Sequence, residues 1–319
     1  MFRDHAAGCI LAGSKGSSGK RGRRVAPIEC MPFRVGNLDA NGADVKRVRK
    51  SFLLMAMLAA MATAFLGDQA SDYVARGNAA LAKGDANEAI ADFINAIAVI
   101  SADPQQAASN PNFAVAYANR GAANLAIGNM DGAIADSTQA IELNPSLPNA
   151  YYVRAIAKQA EGDPDAAIAD CSKAIELNAA FANAYVFRGN AEQAIGETDR
   201  AIADFTKAVQ LQPNLAEAYI DRGDARRYRG DVDDAIADFT RAIRFSPYLA
   251  KAYLDRGAAR HAKGDLAGAI ADYNKSIQLN PRDPIAYADR SAAKRAKGDL
   301  DGAVADSLSA AKLRAGQSP

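Results

Sequence analysis

Ala216 to Leu249 reads AEAYIDRGDARRYRGDVDDAIADFTRAIRFSPYL, and the next thirty-four residues, Ala250 to Asp283, repeat it as AKAYLDRGAARHAKGDLAGAIADYNKSIQLNPRD. The same thirty-four-residue unit occurs seven times, at 70–103, 114–147, 148–181, 182–215, 216–249, 250–283 and 284–317. A fixed period of this length is the signature of a stacked repeat, in which no unit can bury its apolar face alone. Within one unit, Ala235, Ile236, Phe239, Ala242 and Ile243 fall on one face of a helix. Tyr219, Gly223 and Arg226–Arg227 lie on a helix before it.

The turns between the helices are equally legible. Gly230 stands where a left-handed residue ends the first helix without a Cβ penalty. Asp231 follows, and the pattern predicts that its carboxylate caps the second helix by accepting a backbone N–H. The third copy reads Gly162-Asp163-Pro164 here, with proline in a first turn that has no donor to lose. Pro247 closes the second helix, as do Pro145, Pro213 and Pro281 in other copies.

Two further places recur with one kind of residue. Gly77, Gly121, Ala155, Gly189, Gly223, Gly257 and Ser291 share the eighth place, and Ala89, Ala133, Ala167, Ala201, Ala235, Ala269 and Ala303 the twentieth. Small side chains at both predict a close approach of the two helices. The seventh place is Arg in every copy (Arg76, Arg120, Arg154, Arg188, Arg222, Arg256, Arg290). The twenty-third is Asp in every copy (Asp92, Asp136, Asp170, Asp204, Asp238, Asp272, Asp306). This pairing predicts a repeated structural bridge, as between Arg222 and Asp238 and between Arg256 and Asp272, either within a copy or to its neighbour.

The copies resemble the tetratricopeptide repeat family over about four-fifths of the chain. The resemblance rests on the aromatic at the fourth place (Tyr73, Tyr117, Tyr151, Tyr185, Tyr219, Tyr253, Tyr287), the small eighth residue, the alanines at the twentieth and twenty-seventh, and the closing proline. Two places depart from the family pattern. The seventh is Arg instead of Leu, and the eleventh is small or polar instead of a large aromatic (Ala80, Asn124, Lys158, Glu192, Arg226, Arg260, Lys294). The resemblance implies an all-α, right-handed superhelix, an α-solenoid of seven helix-turn-helix repeats. It also implies a concave groove lined by the first helices. Transferred place by place, the residues it puts in the groove include Asn78, Tyr152, Asn190, Asp224, Arg227, Tyr228, Lys251, His261 and Arg295. Arg227, His261 and Arg295 share the twelfth place in successive copies, where cations complement helix C-termini; their recurrence in three copies running offers an acidic-ligand site as the alternative. The dicarboxylate clamp of some family members is not reproduced, since Val74, Asn149 and Val153 stand at its required places.

Charge is divided along the chain. Residues 1–50 hold eleven Lys/Arg against four Asp/Glu, and residues beyond 64 hold 27 against 33. The acidic repeat domain disfavours nucleic acid, which needs a basic face. Residues 1–44 read as a disordered basic leader, or as an upstream extension if translation begins at Val45. Residues 45–64 read as a secretory signal peptide: Lys46-Arg47-Val48-Arg49-Lys50, a short apolar core, and a small-residue cleavage site at Ala62-Thr63-Ala64. An uncleaved anchor is the alternative, and either places the repeats in a bacterial periplasm. The insertion 104–113, PQQAASNPNF, reads as a loop. Ser307 and Ser309 soften the last helix, although its exposed end suggests a second reading, homo-oligomerisation.

Catalytic chemistry is sparse. His261 is the one histidine after the leader, and Cys171 stands where other copies carry Phe or Tyr, as a small core residue. No metal-ligand spacing, phosphate loop or nucleophile set is recognisable, so no catalytic, metal or cofactor-binding residue is assigned. The expectation is a non-catalytic interaction scaffold or adaptor, periplasmic or anchored in the inner membrane, with a peptide or protein partner. It would touch the membrane only through the signal segment. The alternative is a membrane-anchored assembly factor or the non-catalytic regulatory subunit of an envelope enzyme complex.

Overall fold

The computed structural model describes residues 69–102, 107 and 110–318. The leader, the signal segment with Ala62 and Ala64, and much of the 104–113 insertion lie outside the described residues. Among the described residues there are fourteen α-helices and no strand. They are α1 (Gln69–Lys83), α2 (Ala86–Ser101), α3 (Pro111–Ala126), α4 (Met130–Leu143), α5 (Pro148–Ala160), α6 (Pro164–Leu177) and α7 (Ala182–Ala194), then α8 (Thr198–Leu211), α9 (Ala216–Arg229), α10 (Val232–Phe245), α11 (Ala250–Ala262), α12 (Leu266–Leu279), α13 (Pro284–Lys297) and α14 (Leu300–Arg314). Each copy contributes one pair, a first helix and a second helix.

The chain divides into two compact units between Ala191 and Glu192, inside α7. In unit 1, α1 packs on α2, α3 on α4 and α5 on α6, and α2 also packs on α3 and α4 on α5. The core there gathers Leu81, Phe93, Tyr152, Cys171 and Phe181. Unit 2 pairs α9 with α10, α11 with α12 and α13 with α14 in the same way, and its first helices also touch one another in series.

Local chemistry sets the ends. At Gly230 φ is 101°, and the N–H groups of Gly230 and Asp231 turn back onto the carbonyls of Arg227 and Arg226. Only glycine adopts this conformation without steric cost. Asp231 does not cap α10, contrary to the sequence expectation. Its carboxylate is taken by Arg229 Nε at 2.6 Å, a charge-assisted bond that outcompetes a neutral amide. Asp163, Asp265 and Asp299, whose copies carry Glu161, Lys263 and Lys297 at the Arg229 place, do accept the N–H of Ala166, Gly268 and Gly302. The end of the insertion is also not loop. Asn110 caps α3 by accepting from Asn112 N–H, and Pro111 occupies the first turn, so α3 begins three residues before the repeat register.

The eighth and twenty-fourth places show why small residues recur. A Cβ built on Gly223 would lie 2.7 Å from Phe239 Cε1, and the same clash arises at Gly77 with Phe93 and Gly257 with Tyr273. Where the eighth residue carries a Cβ, the facing residue is small: Ala155 goes with Cys171, and Ser291 Oγ lies 2.8 Å from Ser307 Oγ. Cys171 is therefore a packing complement, buried and free.

Candidate functional site

The charges that recur from copy to copy pair with one another. In copies one to three and five to seven the Arg at the seventh place meets the Asp at the twenty-third of its own copy, at 2.6–2.8 Å. From the second of these copies onward the bridge is bidentate, Nε to one carboxylate oxygen and Nη2 to the other, as in Arg222–Asp238 and Arg256–Asp272. The remaining nitrogen reaches the neighbour: Arg154, Arg222 and Arg256 donate from Nη1 to Thr138, Thr206 and Thr240, and Arg290 to Asn274. Arg188 donates likewise to Ser172 at 3.0 Å. Each guanidinium also lies 5.2–5.7 Å from the ring of the tyrosine one turn before it. One arginine thus joins two helices, two copies and an aromatic face, which accounts for its use in place of the family's leucine. The Asp hydrogen bond raises the pKa of Arg120 and Arg154 against the opposing effect of burial.

The eleventh place has a role that the sequence reading missed. Arg226, Arg260, Lys294, Lys158 and Asn124 all reach the same Asp of their copies, at 2.7–3.1 Å. Asp238, fully buried, therefore accepts Arg222, Arg226 and Arg241 together. In the first copy the eleventh place is Ala80, and Asp92 Oδ2 is buried with no hydrogen-bond partner. At Asp306 burial opposes ionisation, but hydrogen bonds from Arg290 and Lys294 outweigh it and hold the carboxyl below its ordinary range.

The residues assigned to the groove separate by unit. In unit 1, Asn78 is buried and its Oδ1 accepts from Asn119 Nδ2 at 2.9 Å. Tyr152 is buried against the rings of Phe181 and Phe187, at centroid distances of 4.9 and 5.9 Å. Both side chains are committed to the interior. Asn190, on α7, is half-buried.

In unit 2 the same face is polar and more open. Tyr228 is 79% exposed and the Arg227 side chain 45%. Arg295 is exposed and His261 half-buried. Lys251 is held between Asp224, at 2.7 Å, and Asp255, and Arg227 lies 3.8 Å from Asp224. The face is therefore not a bare cationic column. Glu217, Asp221, Asp224, Asp255 and Asp289 accompany Arg227, Lys251 and Arg295 on its helices. Burial pushes the Asp289 carboxyl up and the charge of Asp283 adds to this, while His261 and Arg227 pull it back. The arrangement offers alternating charges beside an exposed ring. Among the described residues no group of three His, Cys, Asp or Glu side chains could hold a metal ion, and no helix is long and apolar enough to cross a membrane.

A tandem series of paired helices, with small residues at the crossings and polar residues along the first helices, defines a helical-repeat interaction scaffold. A tetratricopeptide repeat model matches residues 152–216 and 220–284, and a second one matches 114–147. The chain belongs to the tetratricopeptide repeat family. A tetratricopeptide repeat protein from Parabacteroides merdae is 20% identical, over 77% of this chain and 94% of its own, with a TM-score of 0.57. PilF of Pseudomonas aeruginosa is 19% identical, over 61% and 89%, with a TM-score of 0.56. MamA of Desulfovibrio magneticus is 19% identical, over 54% and 97%, with a TM-score of 0.50. These likenesses establish the shared fold. No curated protein matches the chain.

Proposed function

We propose that this chain is a non-catalytic adaptor of the bacterial periplasm, which holds a peptide or partner protein against the first-helix face of unit 2. The observation that carries the reading is the accessible Arg227–Tyr228 pair at the end of α9, with His261 and Arg295 at or beside the equivalent place of α11 and α13. An aromatic ring and an arginine on a preordered helix are the residue types that dominate binding energy at interfaces. Helices fixed by internal bridges lose little entropy when a ligand docks. Asn78 and Tyr152 fall out of the contact set, because their side chains are spent on internal packing. The charges present fit a ligand of mixed sign better than a uniformly acidic one.

The test is a crosslinked capture from the host envelope fraction, comparing wild type with Arg227→Glu/His261→Glu/Arg295→Glu. A partner captured by wild type and lost by the variant supports this face; equal capture by both rejects it. Export is tested separately by N-terminal sequencing of the native protein. A mature terminus at Phe65 in an osmotic-shock fraction supports cleavage after Ala64. An intact signal segment on a cytosolic protein rejects export.

A further inference from the structure

We infer that α14 is a self-association element that pairs antiparallel with α14 of a second copy of this chain. The seventeenth and twenty-first places of each copy, four residues apart, lie on one face of the second helix. In α4 they are Met130 and Ile134, which pack against the core of unit 1, and in α12 Ile270 packs against the cluster of Ala269, Tyr273 and Ala293. In α14 the same places are uncovered. Leu300 is 63% exposed and Val304 65%, and Leu308, one turn further on, is 57% exposed. Spaced by four, the three form one stripe along the helix. The softening expected from the serines is not on this stripe, since Ser307 Oγ turns inward to Ser291.

The twenty-fifth place extends the stripe. At Thr138, Ser172, Thr206, Thr240 and Asn274 it accepts a hydrogen bond from the arginine of the following copy. In α14 it is Leu308, which accepts nothing. The other apolar occupant is Ile94, where the insertion 104–113 separates two copies. The stripe fits an apolar surface, and α14 is itself one.

Charge selects the orientation. Asp301 and Lys312 flank the stripe on the same side when the helix is wound at about 100° per residue. A two-fold axis at Val304 sets Leu300 against the second copy's Leu308. It also brings Asp301 to within five residues, or about 7.5 Å along the axis, of the second copy's Lys312, which the two side chains can span. Parallel pairing about an axis along the helices would put Asp301 and Lys312 of the two copies on opposite sides of the seam and form no such pair. An isologous contact of this kind closes at the dimer.

Sedimentation equilibrium of the full-length chain tests this. The expected result is a monomer–dimer equilibrium. Val304→Glu sets two carboxylates face to face on the axis and weakens the dimer by about tenfold or more, because like-charge juxtaposition at an interface costs several kcal/mol. Its circular dichroism stays that of wild type, since the side chain is exposed in the monomer. Asp301→Lys also weakens the dimer, and Asp301→Lys/Lys312→Asp restores it. A monomer at every concentration, an association that Val304→Glu leaves unmoved, a mass that grows past the dimer, or a charge exchange that fails to restore pairing each overturns the inference.

Discussion

Replacing Arg222 by alanine is the sharpest test of the internal bridges. The side chain is 6% exposed and its partner Asp238 fully buried. The substitution removes two charge-assisted bonds to Asp238, one bond to Thr206, and the contact with the Tyr219 ring. Breaking a buried ion pair by deleting one partner costs about 3–5 kcal/mol, because the other charge is left uncompensated. Here Arg226 and Arg241 remain on Asp238, so the carboxylate is not stranded and the loss falls at the low end, about 3 kcal/mol. For a repeat domain of this size that corresponds to a fall in melting temperature of about 6–12 °C. Thermal and urea unfolding by far-UV circular dichroism measures it, with Lys173→Ala as the reference, since Lys173 pairs with Glu176 on the surface. Asp238→Asn should then cost less in the Arg222→Ala background than in wild type, because both changes act on one bond. An Arg222→Ala protein that melts with Lys173→Ala refutes the argument.

Three further outcomes follow from the same geometry. Ala80→Asn supplies Asp92 with the donor that Asn124 gives Asp136, and should raise stability to urea by about 1 kcal/mol; a loss of stability would count against the account of the eleventh place. Gly223→Ala forces a Cβ toward Phe239 and should destabilise by about 1–3 kcal/mol, while in a Phe239→Cys background, the pairing of the third copy, its own cost should vanish; an undiminished cost would show that the ring is not the obstacle. Asp306 is depressed in the folded state, so its bridge contributes fully above the ordinary carboxylate range and is lost as pH falls through the lowered value. Asp306→Asn should accordingly flatten the acid limb of the stability–pH curve, and an unchanged limb would remove Asp306 from it.

The repeat period, the helix pairs and the turn glycines were legible because each depends on residues near in sequence. The Arg–Asp pairing was also legible, because seven copies of one coincidence point to contact. Other features depended on what else a side chain could reach. Asp231 had the right type for a cap, but Arg229 stood two residues away. Asn78 and Tyr152 occupied groove places by family register, yet Asn119, Phe181 and Phe187 enclose them. The cations at the eleventh place (Lys158, Arg226, Arg260, Lys294) read as a departure from the family pattern, although each lies four residues, one helical turn, after the bridging Arg and so on the face that meets the shared Asp. The acceptors at the twenty-fifth place were in the sequence too, as polar residues in copies two to six and apolar ones in copies one and seven. Their meaning required knowing that one arginine nitrogen is left over after the bidentate bridge.

That leftover nitrogen makes the five seams from the second copy onward chemically alike. Excision of residues 216–249 would bring Arg256 to Thr206 in place of Thr240, a hydroxyl for a hydroxyl, with the Arg256–Asp272 bridge untouched inside its own copy. Duplication of the same segment would create one more identical seam. Array length can therefore drift by whole units during evolution with no compensating substitution. The first seam and the last helix differ, because Ile94 and Leu308 stand where the other copies carry an acceptor.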